Sequence, residues 1–161
     1  MKPALVRRLR QGMLAAAAAA ALGAGPGSCT EKDPRKAYVA LSPLATVVPA
    51  SEVRKAAEYY ASLRPGAVVL NGEGDGMMPL YSSGTLIVVE RLDFDALKEG
   101  MTVIYNDRKG RRVCHFLAAY GLQGWVTRGL NEPEYDAEPL TRDNFVGVVT
   151  MAFTPQSPPA P

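Results

Sequence analysis

Short apolar runs rich in β-branched residues, separated by glycine-containing turns, are the feature that most constrains the fold of this chain. They follow Pro65-Gly66 and are too short and too often interrupted for helices. These runs are residues 67–70, 85–91, 101–105, 111–119, 125–127 and 145–153. The sequence therefore predicts a mainly β domain, and the turn Asp107–Gly110 predicts a hairpin between two of the runs.

One segment has the periodicity of a helix instead. Apolar residues recur on one helix face at positions 53, 56, 57 and 60, Ser51 is the expected N-cap, and Pro65-Gly66 ends the pattern. We therefore expect one short N-terminal helix in a folded domain of residues 51–153. The polar, proline-punctuated residues 29–50 are expected to form a tether, and residues 154–161 a disordered proline-rich tail.

Residues 1–28 have the order of a secretory signal. Lys2 and three arginines precede an apolar stretch that contains Ala15–Ala21, and the glycines of residues 23–27 then interrupt any helix. A membrane span needs roughly 20 apolar residues, and this stretch is shorter. We therefore favour a cleaved signal over an uncleaved helical tail, and predict an exported protein that is periplasmic or a membrane-anchored lipoprotein.

Cys29 directly follows two small residues, Gly27 and Ser28, at the end of this segment. That arrangement resembles a bacterial lipobox, although Pro26 stands where a leucine is usual. We expect lipid on Cys29, because two acyl chains there can hold the protein stably on a membrane. Mass spectrometry that finds Cys29 unmodified in membrane-extracted protein would contradict this expectation.

The charge balance argues against a nucleic-acid partner. The whole chain has 18 Lys and Arg against 16 Asp and Glu, but four of the basic residues lie in residues 1–28, which contain no acid. The remaining residues are slightly acidic and contain no clustered basic stretch. With two cysteines and one histidine in all, the sequence predicts neither a metal site nor a cofactor.

A glycine-rich segment, Asn71–Leu80, follows one predicted strand. Its backbone N–H groups can approach a ligand closely, and no Gly-Lys-Ser/Thr follows, which excludes a phosphate-binding loop. Gly74–Leu80 reads Gly-Asp-Gly-Met-Met-Pro-Leu and resembles the Gly-Asp-Ser-Met-x-Pro box of the signal peptidase and LexA-type serine peptidase superfamily. Further segments resemble that family's other boxes in the correct order: 97–105, 113–115, 127–131 and 145–149.

The resemblance covers about residues 67–150 and implies a coiled β fold of the LexA and signal peptidase type. His115 stands where the archaeal and endoplasmic-reticulum signal peptidases carry a histidine base, and Asp136 lies at the spacing of the acid that supports it. Such an imidazole activates a neighbouring hydroxyl near neutral pH. The resemblance also implies substrate contacts at Asp75, Met77, Met78 and Pro79.

The decisive departure from the family is at Gly76, which occupies the position of the nucleophilic serine. Glycine cannot form an acyl-enzyme, so we predict that the chain is catalytically inactive as written. The backbone N–H of Gly76 remains available as an oxyanion-hole donor. The sequence therefore predicts a peptidase fold that binds an extended peptide or protein segment without cutting it.

Two other readings stay open at this point. The chain is an active serine endopeptidase that processes signal-type peptides if serine is the natural residue at position 76, or if Ser82 or Ser83 substitutes for it. Alternatively, it is a purely structural exported domain in which His115 is a buried core residue and Asp136 an ordinary loop acid. Cys114 adjoins His115 but points to the opposite strand face, so it forms no dyad with it.

Overall fold

The computed structural model describes residues 39–157, which contain one helix and seven strands. The signal segment, Cys29 and the last four residues of the predicted tail lie outside them. The elements are β1 (Ala45–Val48), α1 (Val53–Ser62), β2 (Val68–Asn71), β3 (Leu86–Glu90), a 3₁₀ turn (Phe94–Ala96), β4 (Thr102–Asn106), β5 (Arg112–Gly121), β6 (Gly124–Arg128) and β7 (Phe145–Pro155). The prediction of a mainly β fold with one short helix is confirmed.

All seven strands join one sheet, in which β7 is the shared strand. The order is β2-β3-β7-β4-β5-β6, every neighbouring pair is antiparallel, and β1 adds to β7 in parallel. Three of the pairs contain a register shift, at Val88/Val89, Ile104/Tyr105 and Leu117/Ala119. Such irregularities bend strands and increase their twist, so the sheet can curve around its own core.

The predicted hairpin is present between β4 and β5. Asp107 closes its turn, because its carboxylate accepts hydrogen bonds from the backbone N–H groups of Lys109 and Arg111. Gly110 follows with a φ of +75°, a conformation that favours glycine. Local turn chemistry therefore fixes the register that places His115 opposite Val103.

The helix packs its apolar face on β3 and β7. Val53 and Ala57 are buried against Leu86, Val88 and Phe153. The helix begins one residue later than expected: Glu52, not Ser51, is the N-cap, and its side chain makes no capping hydrogen bond. No helix among residues 39–157 is long and apolar enough to span a membrane.

The segment expected to be a tether, residues 29–50, contributes a strand of the sheet. In β1, Ala45 pairs with Ala152 and Val48 with Pro155, and the N–H of Gln156 donates to Val48. The fold therefore begins before residue 51. It also continues past residue 153, since β7 includes the first two residues of the expected tail.

Substitution of Leu140 tests the packing of the buried core around this residue. It is fully buried and exchanges two backbone hydrogen bonds with Trp125 of β6. Leu140→Ala is expected to lower the free energy of unfolding by about 2–5 kcal/mol, since it leaves a cavity. The matched control is Leu122→Ala, at a fully exposed hairpin tip. Urea denaturation should place this control within about 0.5 kcal/mol of the parent, and equal losses in the two variants would contradict the packing described.

Candidate functional site

The fold brings together the three residues that the sequence predicts as the reacting centre. Gly76 lies in the loop between β2 and β3, His115 lies on β5, and Asp136 follows β6. Asp136 is held against β6 by its backbone N–H, which donates to the carbonyl of Thr127. A Cβ placed on Gly76 would lie 3.5 Å from His115 Nε2. The three positions therefore share one site, although they come from three separate parts of the chain.

His115 and Asp136 form a short hydrogen bond. His115 Nδ1 lies 2.7 Å from Asp136 Oδ2, and the histidine is only 8% exposed. The same carboxylate oxygen accepts a 2.8 Å hydrogen bond from the Tyr105 hydroxyl, whose pKa is raised by burial so that it remains a donor. The carboxylate thereby assigns the ring proton to Nδ1 and leaves Nε2 directed at the Gly76 loop.

The pKa of Asp136 reflects these contacts. Burial raises the pKa, but the hydrogen bond from His115 and those from nearby hydroxyl groups outweigh this effect and hold it below its ordinary value of 3.8. The carboxylate is therefore charged at neutral pH, as an acid that orients a histidine must be.

Gly76 contributes a backbone carbonyl and N–H group to the site and leaves space beside His115. Its carbonyl accepts a 2.8 Å hydrogen bond from the N–H of Asn131, which ties the loop to the chain after β6. No described residue accepts a hydrogen bond from the N–H of Gly76 or Met77. The φ of Gly76 lies outside the left-handed region, so its backbone can carry a side chain. Two N–H donors at such a position are the usual components of an oxyanion hole.

Glu132 is a site residue that the sequence analysis missed. Its Oε1 atom lies 3.5 Å from His115 Nε2 and 2.8 Å from the position of a Cβ on Gly76. The ligating atoms of His115, Glu132 and Asp136 all lie within 4.8 Å of one another. The carboxylate of Glu132 thus occupies the region next to His115 that a residue-76 side chain would enter.

Gly129 explains how Glu132 reaches this position. The backbone turns sharply here, with the N–H of Glu132 donating to the carbonyl of Gly129 at 3.2 Å. A Cβ at Gly129 would lie 2.8 Å from both Gly76 O and Glu132 Cδ. Only glycine allows so close an approach of two backbone segments, so Gly129 is required for this position of Glu132.

The site opens into a groove of about 1010 Å³. The groove has an apolar floor that includes Leu70, Ile87 and Ile104, and its rim carries Asp75 and Glu132. Of the predicted substrate-contacting residues, Asp75 and Met77 line it. Met78 and Pro79 do not: Pro79 lines a second, smaller depression, and Met78 is partly exposed outside both.

Two strand edges flank the groove without a partner among the described strands. β2 pairs only with β3, which leaves one of its edges open beside Leu70 and Asn71. Residues 112–115 of β5 pair only with β4, since the pairing with β6 begins at Phe116. Both stretches line the groove. Such edges present backbone donors and acceptors that an added extended chain can satisfy.

The alternative nucleophiles Ser82 and Cys114 make no hydrogen bond with His115. Cys114 packs with the apolar core, and burial raises the pKa of its thiol to about 12, which disfavours the reactive thiolate. The hydroxyl of Ser82 lies 3.4 Å from the Thr85 hydroxyl, although Ser82 also lines the groove. Within residues 39–157, no Ser or Thr hydroxyl or Cys thiol forms a hydrogen bond with His115.

No protein-family model, no curated protein and no solved structure matches the chain. The resemblance to signal peptidases therefore rests on the residues quoted from the sequence and stays a prediction.

The low pKa of Asp136 gives a pH-dependent contribution to stability. Because the unfolded chain binds this proton more readily than the folded one, the contribution is present above pH of about 4 and lost as the pH falls through the lower folded pKa. Asp136→Asn should therefore flatten the acid limb of a plot of unfolding free energy against pH. Asp143→Asn, at an exposed acid before β7, is the control and should keep the parent slope. Identical acid limbs for Asp136→Asn and the parent would contradict the role of this carboxylate.

Proposed function

We propose that this protein binds an extended peptide, or an extended segment of another protein, in the groove beside His115 and does not cleave it. The single observation that carries the proposal is the pair of open strand edges, on β2 and β5, on either side of the groove. A peptide laid between them gains backbone hydrogen bonds on both sides, and its side chains meet the apolar floor.

The absence of cleavage follows from chemistry at one position. Gly76 has no hydroxyl to attack a peptide carbonyl, and no Ser or Thr hydroxyl of residues 39–157 is hydrogen-bonded to His115. Glu132 adds a second obstacle, because its carboxylate occupies the space beside His115 that the side chain of a nucleophile at position 76 would enter. An active endopeptidase remains the alternative function, and it requires a serine at position 76 or a rearranged loop.

The cellular setting belongs to the same proposal. An exported chain anchored through lipid on Cys29 displays the groove close to a membrane surface, where it meets extended segments of other exported proteins. The binding experiment below does not depend on this anchor, so it can be done with detergent-solubilised protein.

Binding is tested by fluorescence anisotropy with labelled Ala-x-Ala peptides. We expect saturable binding below millimolar peptide. The matched control is the same peptide with methylated backbone nitrogens, which loses strand-edge hydrogen bonds. At about 0.5–1.5 kcal/mol each, the loss of one bond weakens affinity by about two- to tenfold. Absence of saturable binding at millimolar peptide, or equal affinity for the methylated peptide, would remove the proposal.

Restoring the hydroxyl tests whether position 76 alone prevents catalysis. Because a Cβ there lies 3.5 Å from Nε2, Gly76→Ser can bring Oγ within hydrogen-bonding reach of His115 once the exposed end of Glu132 moves aside. We expect the variant to react with a serine-acylating inhibitor and the parent not to react, as read by intact mass. Adding Glu132→Ala should speed the reaction, and adding His115→Ala should abolish it.

The outcomes of this experiment separate the readings. A parent protein that reacts would establish a substitute nucleophile and overturn the non-cleaving proposal. An inert Gly76→Ser variant with unchanged circular dichroism would contradict the expectation that the pair of His115 and Asp136 remains competent for proton transfer.

A further inference from the structure

We propose that His115 and Glu132 together bind a divalent transition-metal ion, with Zn²⁺ as the representative, on the groove side of Gly76. The proposal does not depend on the open strand edges, although the site lies in the same groove: it concerns two side chains that face each other and the gap between them. Neither side chain belongs to a metal-binding motif in the sequence, since they lie on different elements, β5 and the segment after β6.

The first argument is the orientation of the ring. Because His115 Nδ1 donates a hydrogen bond to the Asp136 carboxylate, Nε2 is the ring nitrogen that can bind a metal ion. Nε2 faces Glu132 Oε1 at 3.5 Å, a separation longer than an N–H···O hydrogen bond. The nine-tenths buried ring and the carboxylate thus face each other across a gap that a cation can occupy.

The second argument is distance. Zinc binds histidine nitrogen at about 2.0–2.1 Å and carboxylate oxygen at about 2.0–2.2 Å. Two such ligands at a near-tetrahedral angle lie roughly 3.4 Å apart. The separation of 3.5 Å between Nε2 and Oε1 matches this geometry without any rearrangement of the backbone.

The third argument is the support behind each ligand. Histidines that bind metal ions almost always donate their other ring N–H to a carboxylate or carbonyl, and Asp136 does this here, itself held by Tyr105. Glu132 is positioned by the Gly129 turn, which the hydrogen bond from Asn131 to Gly76 ties to the opposite wall. The two acidic side chains of the cluster also favour the binding of a divalent cation.

Gly76 completes the site by leaving it open. A Cβ at this position would lie 2.8 Å from Glu132 Oε1 and 3.5 Å from His115 Nε2, so any side chain here would enter the proposed coordination sphere. Catalytic zinc sites have three protein ligands and one open position, so a site with two protein ligands leaves further positions, which face the groove, to water or to a carbonyl or carboxylate of a bound molecule.

The test is a Zn²⁺ titration of the tag-free full chain by calorimetry, with Co²⁺ absorption as a probe of ligand number. His115 is the only histidine in the chain, so its ring proton resonances report directly on the site. All measurements are made on the Cys29→Ser variant, because this substitution removes the one thiol outside residues 39–157, which could itself bind Zn²⁺. We expect one Zn²⁺ per chain and a shift of the His115 resonances that saturates with it.

Three variants test the assignment, and one is the control. His115→Gln, Glu132→Gln and Gly76→Ala should each weaken Zn²⁺ affinity by about tenfold or more, the last by filling the coordination space. Glu134→Gln, at an exposed acid two residues further on, should stay within about twofold of the parent.

Failure of the proposal has a clear signature. Absence of a saturable response of the His115 resonances at about 1 mM Zn²⁺, where a site with a Kd of about 1 mM or tighter is at least half occupied, would overturn it. So would parent-like Zn²⁺ binding by Glu132→Gln. If His115 and Glu132 interact only through a proton on the ring, the His115 resonances respond to pH and not to Zn²⁺, and this result also contradicts the metal site. The peptide-binding measurement is made with a metal chelator present, so its result does not depend on whether the protein binds Zn²⁺.

Discussion

The pairing of β7 with three other strands is the interaction on which the rest of the structure depends. β7 bonds β3 along one edge and bonds β4 and then β1 along the other. The Gly76 loop connects β2 to β3 on one side, and β5, which pairs with β4, carries His115 on the other. The distance between the two halves of the site is therefore set across β7. The fit is tight: a Cβ on Gly147 would lie 2.7 Å from Val89 Cγ1.

Much of this architecture could be predicted from the sequence, and the exceptions have physical causes. β2 to β7 are visible as apolar runs because alternation and turn residues act locally. β1 is not visible: it has four residues between two prolines, and its partner strand lies at the other end of the domain. Its stability comes from non-local pairing, which leaves no periodic signal in so short a stretch. The displaced N-cap has a similar origin, since packing of α1 decides its start more than Ser51 does.

The sequence predicted three residues of the site, and it did not predict the acidic residue beside them. The resemblance to the peptidase boxes predicted that Gly76, His115 and Asp136 share one site, and the three lie together in the structure. Glu132 had no comparable signal, because an acid in an Asn-Glu-Pro-Glu segment is ordinary on a surface. Its position depends on a backbone turn at Gly129 and therefore on tertiary structure. The difference matters chemically: a hydroxyl in this position would serve acyl transfer, whereas a carboxylate favours cations.

The parallel pairing of β1 with β7 has a mechanical consequence. The chain enters at the start of β1 and leaves at the end of β7, so a force that pulls the two flanking segments apart draws the paired strands in opposite directions along their length. All the hydrogen bonds between Ala45–Val48 and β7 are then loaded together, in shear, and none can open first. A domain held on a surface at one end and pulled at the other would thus resist unfolding at β1, the strand that could not be predicted from the sequence.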